Sequence, residues 1–316
     1  LQAGVSVDRA LVVTKEGHSD ARLDANSRVE QIEASHPVPD NRSLKSGEAL
    51  QHFVDGCGAE EQLLLLVSGG ASSLAERLVD GESLQSLQAK TQSLLAAGAD
   101  IAQVNAARKR LSLIKAGGLC ANCKASVRSW MLSDVEGDDP SVIGSGIGQL
   151  VDRSRQCIVA SNAIARRATE QTFVDSGWSV VVNQESLYGD VEAVAERVAE
   201  QLLQGGPGAY VFGGEPTVVL PEHPGEGGRN QALALELALR LGDSGIVGLV
   251  AGTDGTDGPT LAAGGWFGRQ HPDAAKVKAA LRAADSGRYL RSTGQDFVTG
   301  PTGTNVMDLL VAVKRH

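Results

Sequence analysis

Short apolar runs alternate along the chain with longer segments whose apolar positions recur at helical spacing, and this alternation predicts strands and helices in turn. Residues 9–14, 62–67, 126–132, 178–182, 210–213, 217–220, 246–251 and 306–313 read as strands. Residues 43–54, 83–97, 100–115, 162–175, 190–203, 229–241 and 274–284 read as helices, with Asp100 as an N-cap. Such alternation belongs to α/β proteins whose mostly parallel sheets are flanked by helices. The Gly/Pro cluster at residues 202–208 is the best linker. It predicts two lobes, 1–204 and a smaller α/β domain at 205–316.

A chain of 316 residues has room for two domains, and 42% hydrophobic content can bury a core in each. Aromatics are 3% and the net charge is -9, which argues against base-stacking platforms and a nucleic-acid partner. No apolar run approaches the roughly 18 residues of a membrane-spanning helix, so no membrane association is expected. The chain opens at Leu1 with no initiator Met and no cationic leader. No signal peptide is read, and a segment preceding Leu1 is expected. Cys57, Cys120, Cys123 and Cys157 are too scattered for a disulfide framework and fit a reducing cytoplasm. The Cys120/Cys123 pair lacks the further ligands of a zinc site and reads as an ordinary helix end.

Four loops follow strands or open helices, where open α/β sheets place their ligands. Ser68-Gly69-Gly70-Ala71-Ser72-Ser73 lets the backbone approach a ligand and turns free N–H groups toward an anion. Ser133-Asp134-Val135-Glu136-Gly137-Asp138-Asp139-Pro140 crowds carboxylates together, which is costly unless a cation such as Mg2+ sits among them. Asp134, nearest the strand, is the better candidate, and Glu136 and Asp139 read as solvated. The glycine-rich loop at 225–228 delivers Arg229 and Asn230 to a helix N-terminus. A cation is disfavoured there, so recognition of a carboxylate or phosphate gives Arg229 its reason.

In the fourth loop Asp254 stands between Gly252 and Gly255 at a strand end, placed to accept a hydroxyl proton or hold a metal. Residues 300–305 add hydroxyls and an amide before the last strand. Neither a phosphate-binding GxxxxGK[ST] loop nor a dinucleotide GxGxxG motif occurs. Residues 144–148 (GSGIG) read as a loop, and His18 and His36 as ordinary loop residues.

Nine collinear stretches resemble the glycerate 2-kinase family, the class with a C-terminal MOFRL domain that is also labelled hydroxypyruvate reductase. They are residues 12–18 (VVTKEGH), 36–40 (HPVPD), 67–74 (VSGGASSL), 105–119 (NAARKRLSLIKAGGL) and 132–146 (LSDVEGDDPSVIGSG), followed by FGGEPTV, GGRNQALAL, AGTDGTDGPT and TGPTGTNVMDLLV. The resemblance spans nearly the whole chain. It implies a Rossmann-like N-terminal kinase domain, a MOFRL-type C-terminal domain and a cleft between them. It implies ATP-dependent phosphorylation of the 2-hydroxyl of D-glycerate with Mg2+, in the cytoplasm, and leaves a homodimer open.

Carried onto this sequence, Asp134, Arg229 and Asp254 are the expected catalytic residues. One of Asp134 and Asp254 would hold Mg2+ while the other orients the hydroxyl. Ser68, Gly69, Gly70, Ser72, Lys109, Glu215, Asn230, Thr253, Thr302 and Asn305 are the expected substrate or nucleotide contacts, and Lys115 shares the helix of Lys109. Three features depart from the pattern. The family's Gly-Lys-Ala-type motif falls before Leu1, Ala71 stands where a third glycine is usual, and Ile147-Gly148-Gln149 replaces a proline-rich stretch. Two alternatives therefore stay open. One is an NAD(P)H-dependent hydroxypyruvate reductase, against which the missing GxGxxG counts. The other is a degenerate, non-catalytic homologue that binds a small hydroxy acid.

Overall fold

The computed structural model describes residues 7–97 and 101–315. It divides into two compact units, Leu1–Val159 and Ala160–His316. Among the described residues no helix is long and apolar enough to cross a membrane.

The first unit runs β1 (Ala10–Lys15), α1 (Ala21–Asp24), β2 (Val29–Ala34), α2 (Asn41–Asp55), β3 (Gln62–Val67), α3 (Ala71–Leu74), α4 (Leu84–Ala96), α5 (Ile101–Arg110), β4 (Ser126–Leu132) and β5 (Gln156–Ala160). β1 and β2 pair in parallel, and β3, β4 and β5 form a second sheet. β3 and β4 run parallel from Gln62 opposite Ser126 to Val67 opposite Met131, so both strands end at the same edge. Leu63, Val67, Val127 and Met131 turn one face onto Ile114, Leu119 and Ile143. This is the parallel arrangement expected of the N-terminal lobe.

Helix α5 stops at Arg110, short of the predicted residue 115. Ser112 Oγ accepts from the N–H groups of Ile114 and Lys115, and Gly117 turns the chain at a left-handed φ of 83°. The predicted cap Asp100 lies outside the described residues. Lys115 leaves the helix and pairs with Glu76 at 2.5 Å, both side chains fully buried. Burial pulls the Lys115 pKa down against the opposing pull of Glu76. This lysine is part of the packing.

The second unit runs α6 (Asn162–Asp175), β6 (Val180–Glu185), β7 (Gly189–Asp190), α7 (Val191–Gln204), β8 (Gly208–Gly214), β9 (Pro216–Thr217), α8 (Arg229–Leu241), β10 (Val247–Gly252), β11 (Gly264–Phe267), α9 (Ala274–Arg282), α10 (Ser286–Ser292), β12 (Asp296–Phe297) and β13 (Asp308–Lys314). Its main sheet has the order β12-β11-β10-β13-β8-β6. β6 and β8 are parallel, and every other pairing in that sheet is antiparallel. The expected mostly parallel character therefore stops with the first unit. A continuous apolar run looks the same in either strand direction, so periodicity cannot reveal the difference.

The compact units part at 159/160 rather than 204/205. β6 joins the same sheet as β8, and Val194, Val198 and Leu202 of α7 pack with Phe212, Leu237 and Leu310. Lys314 Nζ donates to the carbonyls of Leu202, Leu203 and Gly205, tying the end of α7 to β13. The Gly/Pro cluster is thus a turn inside the second unit, which is nearly equal in length to the first. The strand expected at 217–220 shrinks to Pro216–Thr217, leaving Val219 and Leu220 exposed.

Candidate active site

The sequence-predicted residues fall into two groups, one in each unit. In the first, β3 ends at Val67 and Ser68-Gly69-Gly70 turns into α3, while β4 beside it delivers Asp134. A Cβ on Gly69 would lie 1.7 Å from Asp134 Oδ2, so only glycine leaves room for that carboxylate. Asp134 Oδ1 is buried and has no hydrogen-bond partner among the described residues. Burial pushes the Asp134 pKa up, against its own backbone N–H and nearby His36. An unpartnered buried carboxylate oxygen is costly, and a proton, a cation or a ligand donor relieves the cost.

His36, expected to be an ordinary loop residue, therefore belongs to this surrounding. Its ring lies 3.6 Å from where a Cβ on Gly70 would be. Ser72 Oγ is 2.7 Å from Ser145 Oγ. Ser145 sits in the Gly144-Ser145-Gly146 turn, where all three residues have positive φ. Lys109 Nζ donates to the Ser141 carbonyl. The crowded carboxylates of the 133–140 loop do not converge: Glu136 is exposed, and Asp139 accepts from Ser141 N at 2.8 Å.

In the second unit the loop after β10 interlocks with the segment leading into β13. Thr253 N and Oγ1 donate to the Met307 carbonyl at 3.1 and 2.7 Å, and Thr253 Oγ1 accepts from Val306 N. Thr302 Oγ1 donates to the Thr253 carbonyl at 2.6 Å, and Asn305 Oδ1 accepts from Met307 N. Thr253, Thr302 and Asn305, expected as ligand contacts, thus spend these groups on holding two loops together. Gly255, at φ 87°, is required because a Cβ there would lie 2.1 Å from the Gly300 carbonyl oxygen. Asp254 stays half-exposed, with Oδ1 and Oδ2 accepting from Thr256 N and Oγ1 at 2.9 and 3.0 Å.

Arg229 opens α8, and its counter-charges are internal. Nε and Nη2 donate to the two oxygens of Asp308 at 2.6 and 3.2 Å, and Nη1 lies 2.8 Å from Glu215 Oε1. Burial opposes its charge, but Asp308 and Glu215 more than offset this and hold its pKa above the usual guanidinium value. Glu215, expected to touch the ligand, forms one flank of this pair. Asn230 is 1% exposed, and its side-chain amide N and O have no partner among the described residues. Asp257 accepts from the backbone N–H groups of Asn230 and Gln231 at 3.1 and 2.8 Å. Burial pushes Asp257 up to about 7 against those two hydrogen bonds.

Asp257 and Asp308 escape sequence reasoning, though each leaves a trace. Gly228, at the N-cap position of α8, offers no side chain, so an acceptor from elsewhere must serve the first turn. An aspartate opening the apolar strand 308–314 needs a cation when buried. Among the described residues no three His, Cys, Asp or Glu side chains converge on a metal position. Asp134 and Asp254 each offer a single carboxylate. A lone carboxylate of this kind fits Mg2+, which keeps waters and shares phosphate oxygens, and does not fit a closed structural metal.

Two family models match: Domain of unknown function (DUF4147) over residues 2–176, and the MOFRL family over residues 208–308. A D-glycerate 2-kinase of Thermotoga maritima is 33% identical over 98% of this chain and 85% of its own length. The chain belongs to the glycerate 2-kinase family. The human glycerate kinase is 30% identical over 98% of this chain and 78% of its own. An Agrobacterium vitis relative whose name ties it to hydroxypyruvate reductase is 33% identical over 95% of this chain and 80% of its own. A Thermotoga maritima glycerate kinase crystal structure superposes with a TM-score of 0.85 at 31% identity, covering 98% of this chain and 85% of that one.

Proposed function

We propose that this member of the family transfers the γ-phosphoryl group of ATP to the 2-hydroxyl of D-glycerate, giving 2-phosphoglycerate and ADP, with Mg2+ bound. The observation that carries the reading is the nearly full-length likeness to a D-glycerate 2-kinase. The geometry supports it. Asp134, half-buried with one buried and unpartnered oxygen beside the Ser68-Gly69-Gly70 turn, suits the acceptor of the hydroxyl proton as the new O–P bond forms. Arg229, with its side chain 34% exposed, suits the grip on the glycerate carboxylate or the moving phosphoryl group. Asp254 is the carboxylate better placed to hold Mg2+, which when bound neutralises charge developing on the phosphates. A kinase drawing on ATP fits a cytoplasmic setting.

The hydroxypyruvate reductase name of an Agrobacterium vitis relative favours a second reading, reduction of hydroxypyruvate by NAD(P)H. The absence of a GxGxxG motif weighs against it. A coupled assay separates them. The kinase reading expects ADP release that requires both D-glycerate and MgATP, with no NADH oxidation on hydroxypyruvate. The opposite pattern overturns it, and silence in both assays leaves the non-catalytic homologue. Asp254→Asn is expected to lower kcat about 100-fold or more with an unchanged unfolding midpoint. Near wild-type turnover in that variant removes Asp254 from the chemistry.

A further inference from the structure

Asp308 is 1% exposed, and the backbone that presents it is fixed from two sides. Met307, just before it, sits at φ 67°, a left-handed conformation that L side chains rarely adopt. Thr253 holds the Met307 carbonyl, and Asn305 Oδ1 holds its N–H at 3.0 Å. From the other side the buried Asn162 amide donates to the carbonyls of Val306 and Asp308, both at 3.0 Å. Its Oδ1 accepts from Arg166 Nε at 2.9 Å. A Cβ on Gly213 would come within 1.7 Å of that oxygen, so β8 keeps a glycine where the amide passes. A residue in a sparse backbone region is strained and persists only where its surroundings over-determine it. The group this frame immobilises is the Asp308 carboxylate, whose two oxygens take Nε and Nη2 of Arg229.

We propose that Asp308 is the positioning residue for Arg229, fixing the guanidinium plane so that its exposed part meets an anionic group of the substrate. The role rests on the kinase reading, because it supplies the anion. Asp308 itself is too buried to touch substrate and acts through Arg229. Glu215, with its side chain 44% exposed, adds charge on the outer flank without that enforced geometry.

The test combines kinetics with a readout that needs no turnover. In 15N spectra the Arg229 Nε–H signal, assigned by its loss in Arg229→Lys, is expected to be protected from exchange in the wild type and unprotected in Asp308→Asn. In the ADP assay Asp308→Asn is expected to lower kcat/KM for D-glycerate about 100-fold, the effect of misplacing a catalytic group. Added to Arg229→Ala, the same change is expected to alter kcat/KM less than about twofold, since coupled residues are not additive. Should Asp308→Asn fail to fold, Asp308→Glu keeps the charge and shifts the guanidinium by one methylene. It is expected to keep the protected signal and lose roughly tenfold in kcat/KM. A signal still protected in Asp308→Asn, losses that add in the double variant, or wild-type kinetics in Asp308→Glu overturns the proposal. Absence of ADP from the wild type overturns the kinase reading instead, and the Nε–H signal still decides whether Asp308 holds Arg229.

Discussion

The two groups of predicted residues differ in how their polar atoms are satisfied. In the first unit Asp134 is set against a glycine, with one carboxylate oxygen buried and unpartnered among the described residues. In the second, Arg229 is held by Asp308 and Glu215, and the hydroxyls of Thr253 and Thr302 close one loop on another. An unpaired buried oxygen stores a cost that a ligand, proton or cation removes, whereas a completed network stores rigidity. The first arrangement leaves a polar atom for a ligand to satisfy, and the second is built to hold.

That contrast is broken most directly at Asp134. Asp134→Asn is expected to cut kcat by about 10²–10⁴-fold, the range of a lost general base. Because it removes an uncompensated charge, stability at neutral pH is expected to rise by roughly 1 kcal/mol rather than fall. Parallel kinetics and urea unfolding check both signs. A destabilised but active variant would show that Asp134 is a structural carboxylate.

The buried Lys115–Glu76 pair marks the opposite case within the same unit. Glu76→Gln strands the lysine without its counter-ion and is expected to cost about 3–5 kcal/mol. Chemical denaturation measures it. A cost near zero would mean that Lys115 already lies neutral.

The second unit is sharpened by pH. Asp257 titrates near 7 when folded against 3.8 as its ordinary value, so between those values the folded state binds more protons than the unfolded one. Its contribution is therefore present below about pH 4 and lost as pH rises through 7, a fall of about 4 kcal/mol. Asp257→Asn is expected to flatten that slope in unfolding curves across pH 4–8, and an unchanged slope would assign it to other groups. The smallest effect is expected at exposed Glu136. Glu136→Gln should shift stability by no more than about 0.5 kcal/mol and leave kcat/KM within error. A larger kinetic loss would return it to the site.

What the sequence discloses follows the range of the interaction. β3, β4, α6 and α8 appear at their predicted bounds because periodicity and local caps define them. β2, whose Val-Glu-Gln-Ile-Glu-Ala mixes charge with short apolar steps, gives no such signal. The same is true of the strand directions in the second unit. Asp134 stands out because its place at a strand end is a local reading, whereas Gly69, which makes room for it, comes from another loop. Asp257 and Asp308 do not, because they act on Gln231 and Arg229 at separations of 26 and 79 residues. Arg229 was legible as an arginine out of place at a helix start. What satisfies it was not.

Phosphoryl transfer to the 2-hydroxyl is open to 31P NMR of the wild-type protein incubated with D-glycerate and MgATP. One phosphomonoester is expected, on the 2-oxygen of glycerate, formed in step with ADP. Phosphate on the 3-oxygen would contradict the assigned hydroxyl, and no ADP alongside NADH consumption with hydroxypyruvate would contradict the kinase itself.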